Sequence, residues 1–194
     1  HIKNLVNDGG AFVKSKVLSF LKIAESFVSG EEISKRIGVS RTAVWKHIRS
    51  LKEEGYIIES LPNKGYFLRG CPNLMLPTEI KPYLDTEFLG TEIVYHSQIS
   101  STNIVARELA EKGARSGTLV IAEEQVGGKG RLGRVWSSPA GGIWLSFIVK
   151  PAVNPFQAPL FTLLTAAALG EVLKEQNIKG GIKWPNDILY KGKK

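Results

Sequence analysis

The sequence predicts an α+β protein in two parts: a small, mainly helical unit closed by a β-hairpin, then a larger region in which strands and helices mix. Three observations carry this. Apolar residues recur at helical spacing up to Leu51, whereas strict alternation appears later, with Ile143, Leu145, Phe147 and Val149 set against Trp144, Ser146 and Lys150. Between them Gly70-Cys71-Pro72-Asn73, followed by Pro77 and Pro82, interrupts both periods. The expected division is therefore 1–69, a linker over 70–78, and 79–194.

Taken in order, Val13, Val17, Leu18, Leu21 and Ala24 mark a first helix. Ser29-Gly30-Glu31-Glu32 is a capping box opening a second through Ile33 and Ile37, and Gly38 stops it. Ser40 caps a third helix, whose Val44, Ile48 and Leu51 form an inward stripe ending at Gly55. Two short strands, 56–60 and 65–68, flank the turn Pro62-Asn63-Lys64-Gly65. Beyond the linker, Ile93-Val94-Tyr95 reads as a strand, and Ser101-Thr102-Asn103 caps a helix through Lys112. Positions 118–122 and 143–149 are two further strands. Positions 159–175 form a helix expected to be buried, and 182–184 with 188–190 make a last hairpin around Pro185-Asn186-Asp187.

Composition excludes several classes. With 194 residues, 43% hydrophobic and 23% charged, the chain is neither disordered nor collagen-like. Its one cysteine, Cys71, forms neither an internal bridge nor a zinc cluster, which fits a reducing, cytoplasmic location. The apolar run Leu160 to Leu173 is broken by Thr162, Thr165, Gly170 and Glu171 and is shorter than the about 20 residues a bilayer needs, so no membrane association is expected. The start His1-Ile2-Lys3-Asn4 has neither a signal core nor an initiator methionine and reads as a trimmed chain. The net charge of +8 is uneven: twelve basic against seven acidic residues up to position 70, fourteen against eleven after it. A polyanionic partner is thus expected for the first third, with a solvated basic face as the plainer alternative.

If Val44, Ile48 and Leu51 face the core, then Arg41, Thr42, Trp45, Lys46 and Arg49 lie on the outer face of the same helix. Arginine reads guanine edges, threonine touches the thymine methyl, and either cation neutralises phosphate. Ser40 opens this helix, and Lys64 at the hairpin tip is placed to grip the nucleic-acid backbone. Over about residues 11–69 the chain resembles the helix-turn-helix of winged-helix regulators, the 56–68 hairpin standing as the wing; a three-helix packing module is the structural alternative.

Gly128-Lys129-Gly130-Arg131-Leu132-Gly133 satisfies G-x-G-x-x-G, but no helix is expected to open there, because Arg134 to Gly142 runs irregularly into another strand. A dinucleotide site is therefore not expected. The loop offers close backbone approach and three cations, Lys129, Arg131 and Arg134, which is chemistry for anions. Lys183-Trp184-Pro185-Asn186-Asp187 and Lys194 add further cations. No catalytic triad accompanies them, since His1, His47 and His96 are the sole histidines. Such a site suits the joining of a carboxylate to a nucleotide phosphate, where the barrier lies in bringing two anions together. Asp187 is the carboxylate placed to share magnesium, although an aspartate at this position is also an ordinary turn-former.

Ser101-Thr102-Asn103, Glu123-Glu124-Gln125, the 128–136 loop and Lys183-Trp184-Pro185-Asn186-Asp187, in that order, resemble the biotin protein ligases. With the winged helix in front they are similar to the bifunctional form that is also the biotin operon repressor. The resemblance implies an N-terminal winged helix-turn-helix and a mixed α/β catalytic domain of the biotin/lipoate ligase, class II synthetase-like type. More strands and a small C-terminal barrel would follow Lys194, so an edge strand is expected to be unpaired, the pocket open and the activity of these 194 residues alone in question. The implied reaction joins biotin and ATP into biotinyl-5'-AMP, then passes biotin to a lysine of the biotin carboxyl carrier protein of acetyl-CoA carboxylase. The adenylate would act as corepressor on operator DNA, with a homodimer forming when it is bound. The resemblance further implies Ser101, Thr102, Asn103 and Gln125 around the biotin rings, and Lys129, Gly130 and Arg131 at its carboxylate and the adenylate phosphate. Arg134 and Trp136 would serve the nucleotide, with Trp136 flanking adenine. Lys183, Asn186 and Asp187 would meet the ATP phosphates and Mg2+, and Lys194 the biotin carboxyl; Arg131, Lys183 and Lys194 are the implied catalytic residues. Lys129 departs from the arginine frequent in the family, keeping the charge but losing bidentate geometry. A non-catalytic biotin-sensing transcription factor and a lipoate-type ligase are the competing readings.

Overall fold

The computed structural model, which describes residues 8–130 and 133–193, opens on helix α1 (Asp8–Ile23), whose Val17, Leu18 and Leu21 are buried. Helix α2 (Gly30–Ile37) starts where Ser29 Oγ accepts from Glu32 N at 3.1 Å and ends on Gly38 at φ 78°, a conformation glycine adopts without a Cβ clash. Ser40 Oγ does the same for Ala43 N at 3.1 Å, starting α3 (Arg41–Glu53), which buries Val44, Ile48 and Leu51. Strands β1 (Ile57–Leu61) and β2 (Gly65–Gly70) pair antiparallel. Val28 and Tyr66 exchange backbone hydrogen bonds of 2.9 and 2.8 Å, fastening the hairpin to the segment before α2. That approach requires Gly65: at φ 102°, a Cβ there would lie 2.1 Å from the Val28 carbonyl oxygen. Helix order, turn glycine and hairpin follow the winged-helix pattern, around one core that runs from Val17 to Leu76.

The segment after the hairpin packs against the helical unit. Helix α4 (Pro77–Ile80) buries Thr78, while Leu76 joins the core of the three helices, against which Tyr95 also packs. Glu79 accepts from Lys22 Nζ at 2.6 Å and from Tyr56 Oη at 2.5 Å, and Met75 N donates to Glu123 Oε1 at 2.7 Å. Burial works against the Glu79 carboxylate and the Lys22 ammonium, but their mutual bond and the Tyr56 hydroxyl outweigh it, holding Glu79 below and Lys22 above their usual ranges. Burial, then Glu123, pushes the Tyr95 phenol up to about 12. Prolines punctuate the segment, yet Leu76, Thr78 and Glu79 each have partners that only tertiary structure supplies.

Strands β3 (Ile93–Ile99) and β4 (Leu119–Gln125) are parallel, and β5 (Trp144–Phe147) runs antiparallel to β4, giving the order β3-β4-β5. Helix α5 (Thr102–Glu111) is the crossover between the parallel strands and packs Ala106 with Val120 and Ile148. The period of β5 is as read, but its apolar side chains face out, with Leu145 41% and Phe147 44% exposed, while Trp144 and Ser146 are half-buried. Register puts Ser146 on one face with Val120 and Val94, the face α5 covers, so the side of the strand that carries Trp144 and Ser146 and leads into the buried Ile148 is the inner one.

The chain divides into two compact units, the first running to Val149 and the second from Lys150. In the second, a 3-10 turn (Pro155–Gln157) capped by Asn154 leads into α6 (Ala158–Glu175), and β6 (Gly180–Lys183) pairs antiparallel with β7 (Asp187–Tyr190). Helix α6 was expected to be buried and is not: Ala166 alone among its residues is buried, and Leu160, Leu164, Leu169 and Val172 are exposed. Its own unit supplies one two-stranded hairpin, too little surface to cover so apolar a helix. The helical run Pro155–Glu175 spans 21 residues, so by length and composition alone it is long and apolar enough to cross a membrane; Thr162, Thr165 and Gly170 dilute its hydropathy without ending the helix.

Candidate functional site

Two faces gather the chemistry singled out in the sequence. On the first, Arg41, Thr42, Trp45, Lys46 and Arg49 are all exposed along α3, opposite its buried stripe, and Lys64 is exposed at the hairpin tip beside Asn63 at φ 61°. A groove of about 840 Å3 lies between them, lined by Ser29, Arg41, Thr42, Trp45, Pro62 and Asn63 among others. The cations are not equivalent. Arg49 Nε lies 3.0 Å from Glu53 Oε1, with its guanidinium 5.9 Å over the Trp45 ring, so much of its charge is answered locally. No ion pair holds Arg41, Lys46 or Lys64 among the described residues. Arg41 is moreover the first residue of α3, where the helix dipole disfavours a cation. Ser40 spends its hydroxyl on the cap.

The second face is built at the carboxyl ends of β3 and β4. Ser101 and Thr102 are buried and Asn103 is exposed. Ser101 stands at the N-cap position of α5, but its side chain makes no capping bond, contrary to expectation. Gln125 takes over that work: its Oε1 accepts from Thr102 N at 2.8 Å and from Thr102 Oγ1 at 3.1 Å. Gln125 Nε2 donates to Ser138 Oγ at 3.0 Å, and Thr102 Oγ1 meets Ser146 Oγ at 2.9 Å. The structure thus joins Thr102 to Gln125, 23 residues apart, and adds two partners that sequence reasoning missed. Ser146 was legible only as one phase of an alternating strand, and alternation alone does not say which face is covered. Ser138 carries no local signal; the backbone bond from Gln125 N to Ser138 O, 2.9 Å, brings it in.

That bond also closes the glycine loop. Lys129 bridges Val135, Gly130 N donates to Arg134 O at 2.7 Å, and Trp136 N donates to Gly128 O at 2.9 Å. A Cβ at Gly128 would lie 2.5 Å from the Trp136 carbonyl oxygen, so the loop's two arms touch backbone to backbone. Among the described residues no α-helix follows the loop before β5. Gly130 is half-buried, Lys129 and Arg134 are exposed, and Trp136 is 44% exposed. Arg131 lies outside the described residues, as does Lys194.

In the second unit Lys183 pairs in register with Asp187 across the turn, which contains a cis Trp184–Pro185 bond; Lys183 and Asn186 are exposed and Asp187 is half-buried. Among the described residues no group of three or more His, Cys, Asp or Glu side chains is arranged to hold a metal ion.

Three helices with a hairpin, followed by a mixed sheet whose glycine loop is tied to a helix start, define a helix-turn-helix protein carrying a mixed α/β region. The model of the biotin/lipoate A/B protein ligase family matches residues 95–194, and that of an HTH domain matches residues 13–67. The chain belongs to the biotin/lipoate A/B protein ligase family. It is 44% identical over 183 residues to the bifunctional ligase/repressor BirA of Bacillus subtilis, covering 93% of this chain and 56% of the relative. To the protein of the same name from Escherichia coli it is 33% identical over 184 residues, covering 94% and 56%. A solved biotin protein ligase from Aquifex aeolicus, in complex with biotin and ATP, matches 52% of this chain and 42% of its own at 34% identity, with a TM-score of 0.40. The chain spans little more than half the length of the curated relatives it matches.

Proposed function

We propose that the protein of which this chain is part is a biotin protein ligase that doubles as a repressor. The biotin carboxylate attacks the α-phosphorus of ATP, forming biotinyl-5'-AMP and expelling pyrophosphate; a lysine amine of the biotin carboxyl carrier protein then attacks the acyl carbon and expels AMP. Residues 1–69 read operator DNA, 70–78 connect, and 79–194 carry the chemistry, in the cytoplasm, with dimerisation coupled to the adenylate.

The observation that carries this reading is the hydrogen-bonded unit of Thr102 and Gln125 beside the closed glycine loop. A helix start and a loop rich in backbone N–H groups and cations favour a ligand that is itself an anion. Ser101, Thr102, Asn103 and Gln125 take the ring end of biotin, and Lys129, Gly130 and Arg131 its carboxylate and the adenylate phosphate. Arg134 and Trp136 hold the nucleotide. Lys183, Asn186 and Asp187 serve the triphosphate, Asp187 sharing Mg2+, which would screen the phosphates, and Lys194 reaches the biotin carboxyl. The test is biotin-dependent exchange of labelled pyrophosphate into ATP by the protein at its natural length. Exchange that needs biotin supports the reading; exchange driven equally by lipoate, or none, refutes it.

A further inference from the structure

We propose that Ser138 is a positioning residue that fixes the Gln125 amide, so that Gln125 offers its ligand a hydrogen-bond donor and no acceptor. This deepens the biotin reading and rests on it for the identity of the ligand.

The argument starts from the one donor whose polarity is beyond choice. Thr102 N–H, at the start of α5, can only donate, so the atom 2.8 Å away must be the Gln125 oxygen and not its nitrogen. The same oxygen accepts from Thr102 Oγ1 at 3.1 Å, which engages both of its lone pairs. Having given its proton to Gln125, the Thr102 hydroxyl must accept from Ser146 across their 2.9 Å contact. On the other side, Gln125 Nε2 donates one hydrogen to Ser138 Oγ at 3.0 Å, and the Ser138 proton is directed to Trp136 O at 3.4 Å. The polarity therefore runs one way, from Ser146 on β5 through Thr102 to Gln125, and from Gln125 through Ser138 into the arm that closes the glycine loop. Ser138 is 3% exposed and Thr102 4%, so neither end of the amide is exchanged for water at low cost. What remains to Gln125 is the second hydrogen of Nε2. An atom of the ligand that meets it must be an acceptor, such as a ureido or carboxylate oxygen, and a ligand bringing a donor to that point leaves two donors facing each other.

The test uses the protein at its natural length, labelled with 15N, with the Gln125 side-chain NH2 pair identified by its loss in Gln125→Glu. Ser138→Ala removes the acceptor at nearly constant volume, and Ser138→Cys replaces it with a far weaker one and serves alone if the alanine variant does not fold. Expected are an upfield move and faster solvent exchange of one proton of the pair, larger in Ser138→Ala than in Ser138→Cys, together with biotin binding weakened about fivefold to tenfold by calorimetry. An unmoved NH2 pair overturns the proposal, and so does a moved pair with unchanged biotin affinity. Failure of the underlying reading looks different: wild-type protein that binds no biotin removes biotin as the ligand, while a moved NH2 pair in Ser138→Ala still upholds the orientation of Gln125.

Discussion

Replacing Arg41, Lys46 and Lys64 together by alanine tests the nucleic-acid face at the point where structure sharpens the sequence reading. These exposed cations have no ion pair among the described residues, whereas Arg49 is already answered by Glu53 at 3.0 Å. Each cation that neutralises a phosphate contributes about 0.9 to the slope of log affinity against log salt. Loss of three lowers the slope by about 2.7 per protomer, so over a fourfold rise in salt the wild type loses roughly 40-fold more affinity than the variant. Arg49→Ala lowers it by less than about 0.9, because the guanidinium it removes is shared with Glu53. The substitutions leave Val44, Ile48 and Leu51 untouched, and removing Arg41 from the positive end of α3 stabilises that helix by roughly 0.3 to 1 kcal/mol. Fluorescence anisotropy of a labelled duplex from 50 to 200 mM KCl reads the slope directly. A triple variant with the wild-type slope, or an Arg49→Ala variant with the larger effect, refutes the assignment of α3 and the hairpin tip.

Three other outcomes are expected. Glu79→Gln lowers stability at pH 7 by about 2 kcal/mol, since it weakens charge-assisted bonds from Lys22 and Tyr56. Because the folded Glu79 is held below 4.5, the wild-type advantage is full above that value and vanishes as pH falls through the lowered one, and urea unfolding from pH 7 to 3 that shows a constant gap contradicts this. Leu51→Ala, at a fully buried site, costs about 2 to 5 kcal/mol in the same assay while Leu164→Ala, 64% exposed on α6, costs less than about 0.5; equal losses would mean that α6 is covered. Arg131→Gly in a natural-length protein forms the adenylate but leaks it, since about 1.5 to 3 kcal/mol of charge-assisted bonding corresponds to tenfold or more in release; serum albumin present in the reaction then becomes biotinylated, and unlabelled albumin beside a normally modified carrier ends that idea.

How much of this was legible in the sequence depended on whether the signal was local. Ser29, Gly38, Ser40 and the Val44-Ile48-Leu51 stripe act within one turn of their own helix, and the second and third helices and the hairpin fall within a residue or two of expectation, while the first helix begins five residues before Val13, the first residue marked for it. The order of motifs from Ser101 to Asp187 was equally readable. What failed was everything settled by a distant partner. The bond of Glu79 to Lys22, 57 residues away, is one such contact, just past the proline-punctuated run. Alternation in β5 gave the period but not the phase, which α5 decides through Thr102 and Ser146. The Ser101 cap was pre-empted by Gln125, and α6 was taken as buried because apolar composition says what a helix prefers, not what surface is there to cover it.

The most direct test of the central claim is equilibrium binding of labelled biotin to the protein at its natural length, with unlabelled biotin and lipoate as competitors and Gln125→Ala as the control. The account predicts saturable binding at one site per chain, displaced by biotin and not by lipoate, and weakened tenfold or more in Gln125→Ala, roughly the 1.4 kcal/mol or more expected of a buried donor and the network it anchors. Binding that does not saturate, that yields equally to lipoate, or that survives Gln125→Ala unchanged contradicts it.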